Sequence, residues 1–199
     1  MRRFTEITSV AAPFARANID TDQIIPARYL QKPRDGGLGR YLFHDLRFGP
    51  DGAPDPAFVL NRPAYREASI LVAADNFGCG SSRENAVWAL QDYGIRAAIA
   101  PSFGDIFRNN SLKNGFLPVV LPGEVVDGLL AYLRERPGET VAIDLAEERV
   151  TLPDGSAHRF AIDPFARHCL LNGVDELAFT LSQIEAVEAF ERRYGRENF

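Results

Sequence analysis

Cysteine is scarce in this chain: Cys79 and Cys169 are the only two among 199 residues. Thiols so far apart form no chelating motif, and His44, His158 and His168 show no ligand-like spacing either. The chain is therefore expected to hold no metal ion and no iron–sulfur cluster of its own. Long apolar runs are also missing, and none approaches the ~20 residues needed to cross a bilayer. The basic start Met1-Arg-Arg-Phe4 has no apolar segment behind it, so a secretory signal is not expected, and a cytoplasmic location is the default. An excess of positive charge is lacking too. A net charge of −5 argues against a general nucleic-acid binder, which carries a basic field.

What is present is ordinary for a folded globular domain. A hydrophobic fraction of 46% with 25% charged residues excludes a disordered chain. At 199 residues the chain can bury a core as a single domain, and no linker or repeat divides it. The apolar run at 70–74 reads as a buried strand, the stretch after the Ser81–Glu84 box as a helix with Ala86, Val87 and Leu90 on one face, closed by Gly94, and 95–100 as a second strand. Strand, helix and strand in that order imply a parallel crossover. Residues 116–121 are expected to form another strand and 125–136 a helix, followed by strands at 140–145, 149–152 and 158–162. The last two join through Pro153-Asp-Gly155. From Pro164 onward the pattern is helical, with Ser182 and Glu185 spaced as a capping box. The fold class is α/β, with a helical C-terminal extension.

The segment Asn76-Phe-Gly-Cys-Gly-Ser-Ser-Arg-Glu84 carries the chemistry. A strand end meets a glycine turn, and two serines and an arginine then precede a helix. Unpaired N–H groups and the dipole at a helix N-terminus favour an anion there. Ser81 and Glu84 have capping-box spacing, so the plainest reading is a tight turn with a serine cap. A phosphate loop would need a lysine before Ser/Thr, and none is present. Cys79 as a thiolate nucleophile would want a histidine base, and none is near in sequence. Ser81 as a general base would need its alkoxide stabilised by the helix terminus and Arg83. Such a base would take a proton α to a carboxylate, with Ser82 and Arg83 holding the carboxylate, which arginine pairs bidentately. An electrophile must then act on the other half of the substrate. This chain has no ligand set for one, so it would come from a partner.

Four segments together identify a resemblance: Asn18-Ile-Asp-Thr-Asp-Gln-Ile-Ile-Pro26, the glycine–serine turn, Ser102-Phe-Gly-Asp-Ile-Phe107 and Asn114-Gly-Phe-Leu-Pro118. They resemble the small-subunit family of bacterial 3-isopropylmalate dehydratases, the swivelling domain of the aconitase superfamily, over almost the whole chain. The resemblance implies a layered β/β/α swivelling domain that closes over a large subunit carrying a [4Fe–4S] cluster. It implies isomerisation of 2-isopropylmalate, a 2-hydroxy dicarboxylate, to 3-isopropylmalate in leucine biosynthesis. It assigns Ser81 as catalytic base and Ser82 and Arg83 as substrate contacts, puts Asp22 near the site, and makes Arg34 a substrate-binding arginine. Asn85 departs from the histidine that follows Arg-Glu in relatives. Rival readings are a homoaconitase or methylmalate-type subunit, or a non-catalytic anion-binding module.

Residues 31–56 are rich in Gly, Pro and Asp, with apolar residues scattered among them. A loop of that length is usually functional. Leu30, Leu38, Leu42 and Phe43 are expected to give the 28–48 segment an apolar surface that receives the isopropyl group, with Leu30 contacting substrate.

Overall fold

The unbroken apolar runs at 11–14, 70–73 and 97–100 lie side by side as strands whose residues are buried on both faces. The computed structural model describes residues 1–33 and 37–197. In chain order its elements are β1 (Glu6–Phe14), α1 (Thr21–Ile24), α2 (His44–Arg47), β2 (Ile70–Ala73), α3 (Glu84–Tyr93), β3 (Ala97–Ala100), α4 (Asp105–Asn114), β4 (Leu117–Val120), α5 (Gly123–Glu135), β5 (Thr140–Asp144), β6 (Arg149–Thr151), β7 (Ala157–Arg159), α6 (Pro164–Asn172), α7 (Glu176–Ser182) and α8 (Ile184–Glu197). Short 3-10 turns interrupt the long connection between β1 and β2.

The strands form one seven-stranded sheet in the order β4-β3-β2-β1-β5-β6-β7. The β1–β4 half is parallel, and β5–β7 continue it antiparallel. The nine-residue β1 joins the halves. Its second half pairs with β2 and its first half with β5. Side chains alternate between two cores, as a period of two requires. Leu71, Ala73, Ala98 and Ala100 face α3, α4 and the β1–β2 connection. Ile70, Val72, Ala97 and Ile99 face α5 and α6. Strands covered on both faces must be apolar throughout, which is why 70–73 and 97–100 carry no polar residue.

Several boundaries differ from those expected, each for a local reason. The strand at 95–100 begins only at Ala97, because Ile95 N–H bonds to the Leu90 carbonyl and closes α3 around Gly94, whose φ is 114°. The strand at 158–162 is confined to Ala157–Arg159, and Asp163 then caps α6 by accepting from Ala166 N–H. Neither expected capping box forms. Ser182 instead donates to the Phe179 carbonyl at 2.6 Å as α7 ends. At the other, Arg83 is the N-cap of α3 and no side chain caps that helix. A capping box does exist at α1: the Asp20 carboxylate accepts from Gln23 N–H, and the Gln23 side chain accepts from Asp20 N–H.

Candidate anion site at the glycine–serine turn

The chain leaves β2 and must turn sharply above two helices. Gly78 and Gly80 have φ of 73° and 88°, which suits glycine alone among common residues. Space is equally decisive. A Cβ on Gly78 would lie 2.3 Å from the Phe107 ring, and one on Gly104 would lie 2.5 Å from the Gly78 carbonyl. The turn therefore rests directly on the start of α4. Two left-handed asparagines brace its entrance, with Asn76 Nδ2 donating to Asn18 Oδ1 at 2.8 Å. Ser102 Oγ accepts from Asn76 N–H at 2.9 Å and donates to Asp75 Oδ1 at 2.5 Å.

The segment around α1 locks the other side. Gly78 N–H donates to the Ile19 carbonyl, and Thr21 N–H donates to the Cys79 carbonyl. Thr21 is buried, and its hydroxyl donates to the Ser81 carbonyl at 2.8 Å. That bond holds Ser81 out of helical geometry and delays α3 until Glu84. Ser81 and Ser82 consequently stand exposed at the lip of the carboxyl edge of the parallel strands. Edges of this kind are where open α/β sheets bind ligands. No side chain caps α3, and the N–H groups ahead of Ala86, whose own N–H donates to the Arg83 carbonyl at 3.2 Å, are the ones an anion could take.

Arg83 and Asp22, both singled out from sequence, are in direct contact. They form a two-pronged ion pair, Nη1 to Oδ1 and Nη2 to Oδ2, the second at 2.7 Å. The Arg83 side chain is 14% exposed and that of Asp22 51%. The Asp22 carboxylate thus occupies the fork of the largely buried Arg83 guanidinium while remaining half exposed itself.

The other candidates fall differently. Leu30 is half-buried against the core, and its carbonyl receives a long 3.4 Å contact from Asn85 Nδ2. Asn85, the departure from the family pattern, therefore ties α3 to the segment ahead of the loop. Arg34 lies outside the described residues. Leu38, Leu42 and Phe43 do not form the expected apolar receiving surface: all three are fully buried in the core. Cys79 is half-buried, and burial, followed by the nearby Asp20 carboxylate, raises its thiol pKa above the usual range. It is thus kept a thiol, contrary to what a nucleophile needs. His44 is engaged by Arg28 and Asp45 and sits against Tyr29 and Phe48. Among the described residues no group of three or more His, Cys, Asp or Glu side chains is arranged to hold a metal ion. No described helix is long and apolar enough to cross a membrane.

The model of the aconitase C-terminal domain matches residues 1–124, and a LeuD_N model matches residues 127–164. The small subunit of 3-isopropylmalate dehydratase from Rhodospirillum centenum is 54% identical over 197 residues, covering 99% of this chain and 97% of that protein. The Cereibacter sphaeroides small subunit of the same name is 51% identical over 192 residues, 96% of each chain. This chain belongs to the 3-isopropylmalate dehydratase small-subunit family. The crystal structure of a 3-isopropylmalate dehydratase (LeuD) from Methanocaldococcus jannaschii matches the fold with a TM-score of 0.67 at 26% identity, covering 94% of this chain and 99% of that one. Family membership agrees with an α/β domain of aconitase type, here one mixed sheet with helices on both faces.

Sequence reasoning passed over Thr21 as the residue that fixes Ser81. It also missed the Asp20–Gln23 box, although Asp-x-x-Gln carries the capping spacing.

Proposed function

We propose that this chain is the small subunit of 3-isopropylmalate dehydratase, a hydro-lyase isomerising 2-isopropylmalate to 3-isopropylmalate by dehydration and rehydration in leucine biosynthesis. The observation that carries this reading is the exposed Ser81–Ser82 lip. It stands at the uncapped start of α3, beside an arginine whose fork already holds a carboxylate.

Ser81 is the catalytic base. Its Oγ takes the proton from the carbon α to one carboxylate as the neighbouring carbon loses its hydroxyl, and on rehydration it delivers a proton to that neighbouring carbon while the hydroxyl adds to the carbon first deprotonated. The Thr21 bond to the Ser81 carbonyl fixes the position of the base. Ser82, Arg83 and the first N–H groups of α3 hold the substrate carboxylate, and a charge-assisted fork is the strongest of these contacts. Asp22, half exposed, yields its place in the fork and keeps Arg83 aligned when no substrate is present. Leu30 meets the isopropyl group, whose three carbons are worth roughly 2 kcal/mol when buried. Arg34 is assigned to the same substrate.

A [4Fe–4S] cluster does not fit this chain's own residues. Its two cysteines stand apart, one in the turn and one on the buried side of α6, and both thiols are pushed up in pKa by burial. The cluster is therefore assigned to the large subunit, and the active enzyme is a cytoplasmic hetero-oligomer in which this chain acts as one aconitase-type domain over residues 1–199, extended by C-terminal helices.

The test is to mix the chain with the large subunit and assay 2-isopropylmalate, a methylmalate and homocitrate in parallel. Fastest turnover of 2-isopropylmalate is expected, with none from either subunit alone. Preference for another acid would move the chain to a sister enzyme. Turnover of none would make the turn a binding module.

A further inference from the structure

Apolar side chains that a folded chain leaves in water usually mark a contact surface when they lie together. Such a strip runs along the C-terminal helices. Leu177 and Leu181 on α7 and Ile184, Val187, Phe190 and Tyr194 on α8 are all between 40% and 68% exposed. The α8 positions recur every three or four residues, the spacing of one helical face. The other side of α8 is charged, with Glu188 paired to Arg192.

The strip is fastened to the body. Phe179 of α7 packs edge-on against Phe165 of α6 at 5.0 Å and against His168 at 5.6 Å, and Lys113 of α4 pairs with Glu176 at 3.3 Å. It also continues toward the candidate site. A cavity of about 400 Å³ is lined by Ile106, Phe165 and Glu176 among others, and Ile106 and Phe165 are themselves 48% and 41% exposed. Ile106 sits in the first turn of α4, on whose N-cap Gly104 the Gly78–Cys79 turn rests. The near end of the strip thus reaches, through Phe165 and a cavity of mixed polar and apolar lining, Ile106 beside the glycine on which the Gly78–Cys79 turn rests.

We infer that this strip is the docking surface for the large subunit. The inference rests on the function proposed above. A partner that completes the Ser81 site must approach the carboxyl edge, and Ile106 and Phe165 set the near end of the strip beside the turn on that edge. The relatives named small subunits align with 96–99% of this chain, so the length that carries the strip is common to them. A membrane surface fits poorly, because residues 184–197 carry four glutamates against three arginines rather than a basic face. Helices of seven and fourteen residues are about 10 and 21 Å long at 1.5 Å per residue, enough to serve as one side of a standard interface.

The experiment titrates the full-length chain, wild type or L181D/F190D, into a fixed amount of large subunit. Binding is read by sedimentation and turnover by 2-isopropylmalate consumption. The double variant is expected to need about tenfold or more of itself for half-saturation, with kcat at saturation unchanged. Its thermal unfolding alone should match wild type, since both positions are exposed, and Glu188→Ala on the charged face should change neither readout. Equal binding of wild type and L181D/F190D would overturn the inference. So would a wild-type homodimer that the variant dissolves while its affinity for the large subunit is unchanged, which would assign the strip to a second copy. Wild-type binding without turnover would instead defeat the proposed activity and leave the docking result standing. Failure of the wild type to bind would defeat both.

Discussion

The glycine–serine turn and the 27–48 segment both border the candidate site, yet they are built on opposite principles. The turn places polar groups in water on a backbone with little freedom. Glycines fill the spaces against Phe107 and the Gly78 carbonyl, and Thr21 and Ile19 hold it from the side. The 27–48 segment buries its apolar residues instead: Leu38, Leu42 and Phe43 are fully covered, and Tyr29 stacks on Tyr41 at 4.1 Å. Rigidity without burial is what the chemistry proposed for the turn requires. Burial in the neighbouring segment supplies a foundation, at whose edge Tyr29, Leu30, Tyr41 and Leu46 are half-buried.

The contrast breaks most visibly in stability. Leu42→Ala should cost about 2–5 kcal/mol of unfolding free energy, because it empties a fully buried site, while leaving KM nearly unchanged. Leu30→Arg should do the reverse, weakening turnover of 2-isopropylmalate and improving that of a tricarboxylic competitor with little loss of stability. Denaturant melts and paired kcat/KM measurements separate the two. A specificity change from Leu42→Ala would mean that the core assignment of the segment is wrong.

Gly104→Ala should come next. Its φ of −59° is ordinary, so the effect is purely one of space against the Gly78 carbonyl and Cys79 Cα. A loss of about 1–3 kcal/mol is expected from overpacking. Shifting the turn should also lower turnover by roughly 100-fold. Melting curves and steady-state kinetics on the same preparation check both.

The smallest effect concerns Arg28 and Asp45, an exposed pair at the outer end of the segment. The Arg28 guanidinium holds the Asp45 carboxyl down to about 2 from an ordinary 3.8. A depressed carboxylate contributes stability above its unfolded pKa and loses it as pH falls through the folded one. The pair's contribution should therefore be complete above about pH 4 and vanish toward pH 2. Asp45→Asn should lower stability slightly at pH 7 and leave it unchanged below pH 2, as acid-titrated melts would reveal.

Legibility in the sequence followed the same contrast. The turn was readable because its glycines, serines and arginine are local signals, and the parallel strands were readable because burial on both faces imposes unbroken apolar runs. The α3 cap was misread because Thr21, sixty residues away, pulls the Ser81 carbonyl out of the helix. Leu38, Leu42 and Phe43 were misread as a receiving surface because irregular chain has no period to say which side faces in. The Asp22–Arg83 pair joins two motifs that were each visible, but no spacing announces a contact across 61 positions.

The central claim is that Ser81 does chemistry and is not merely part of a turn. The direct measurement is kcat of the reconstituted enzyme with Ser81→Ala, alongside unfolding of the isolated variant and its binding to the large subunit. Ser81 caps no helix, so stability and association should stay close to wild type while kcat falls by several orders of magnitude. Near-normal kcat in a fully assembled Ser81→Ala enzyme would contradict the account.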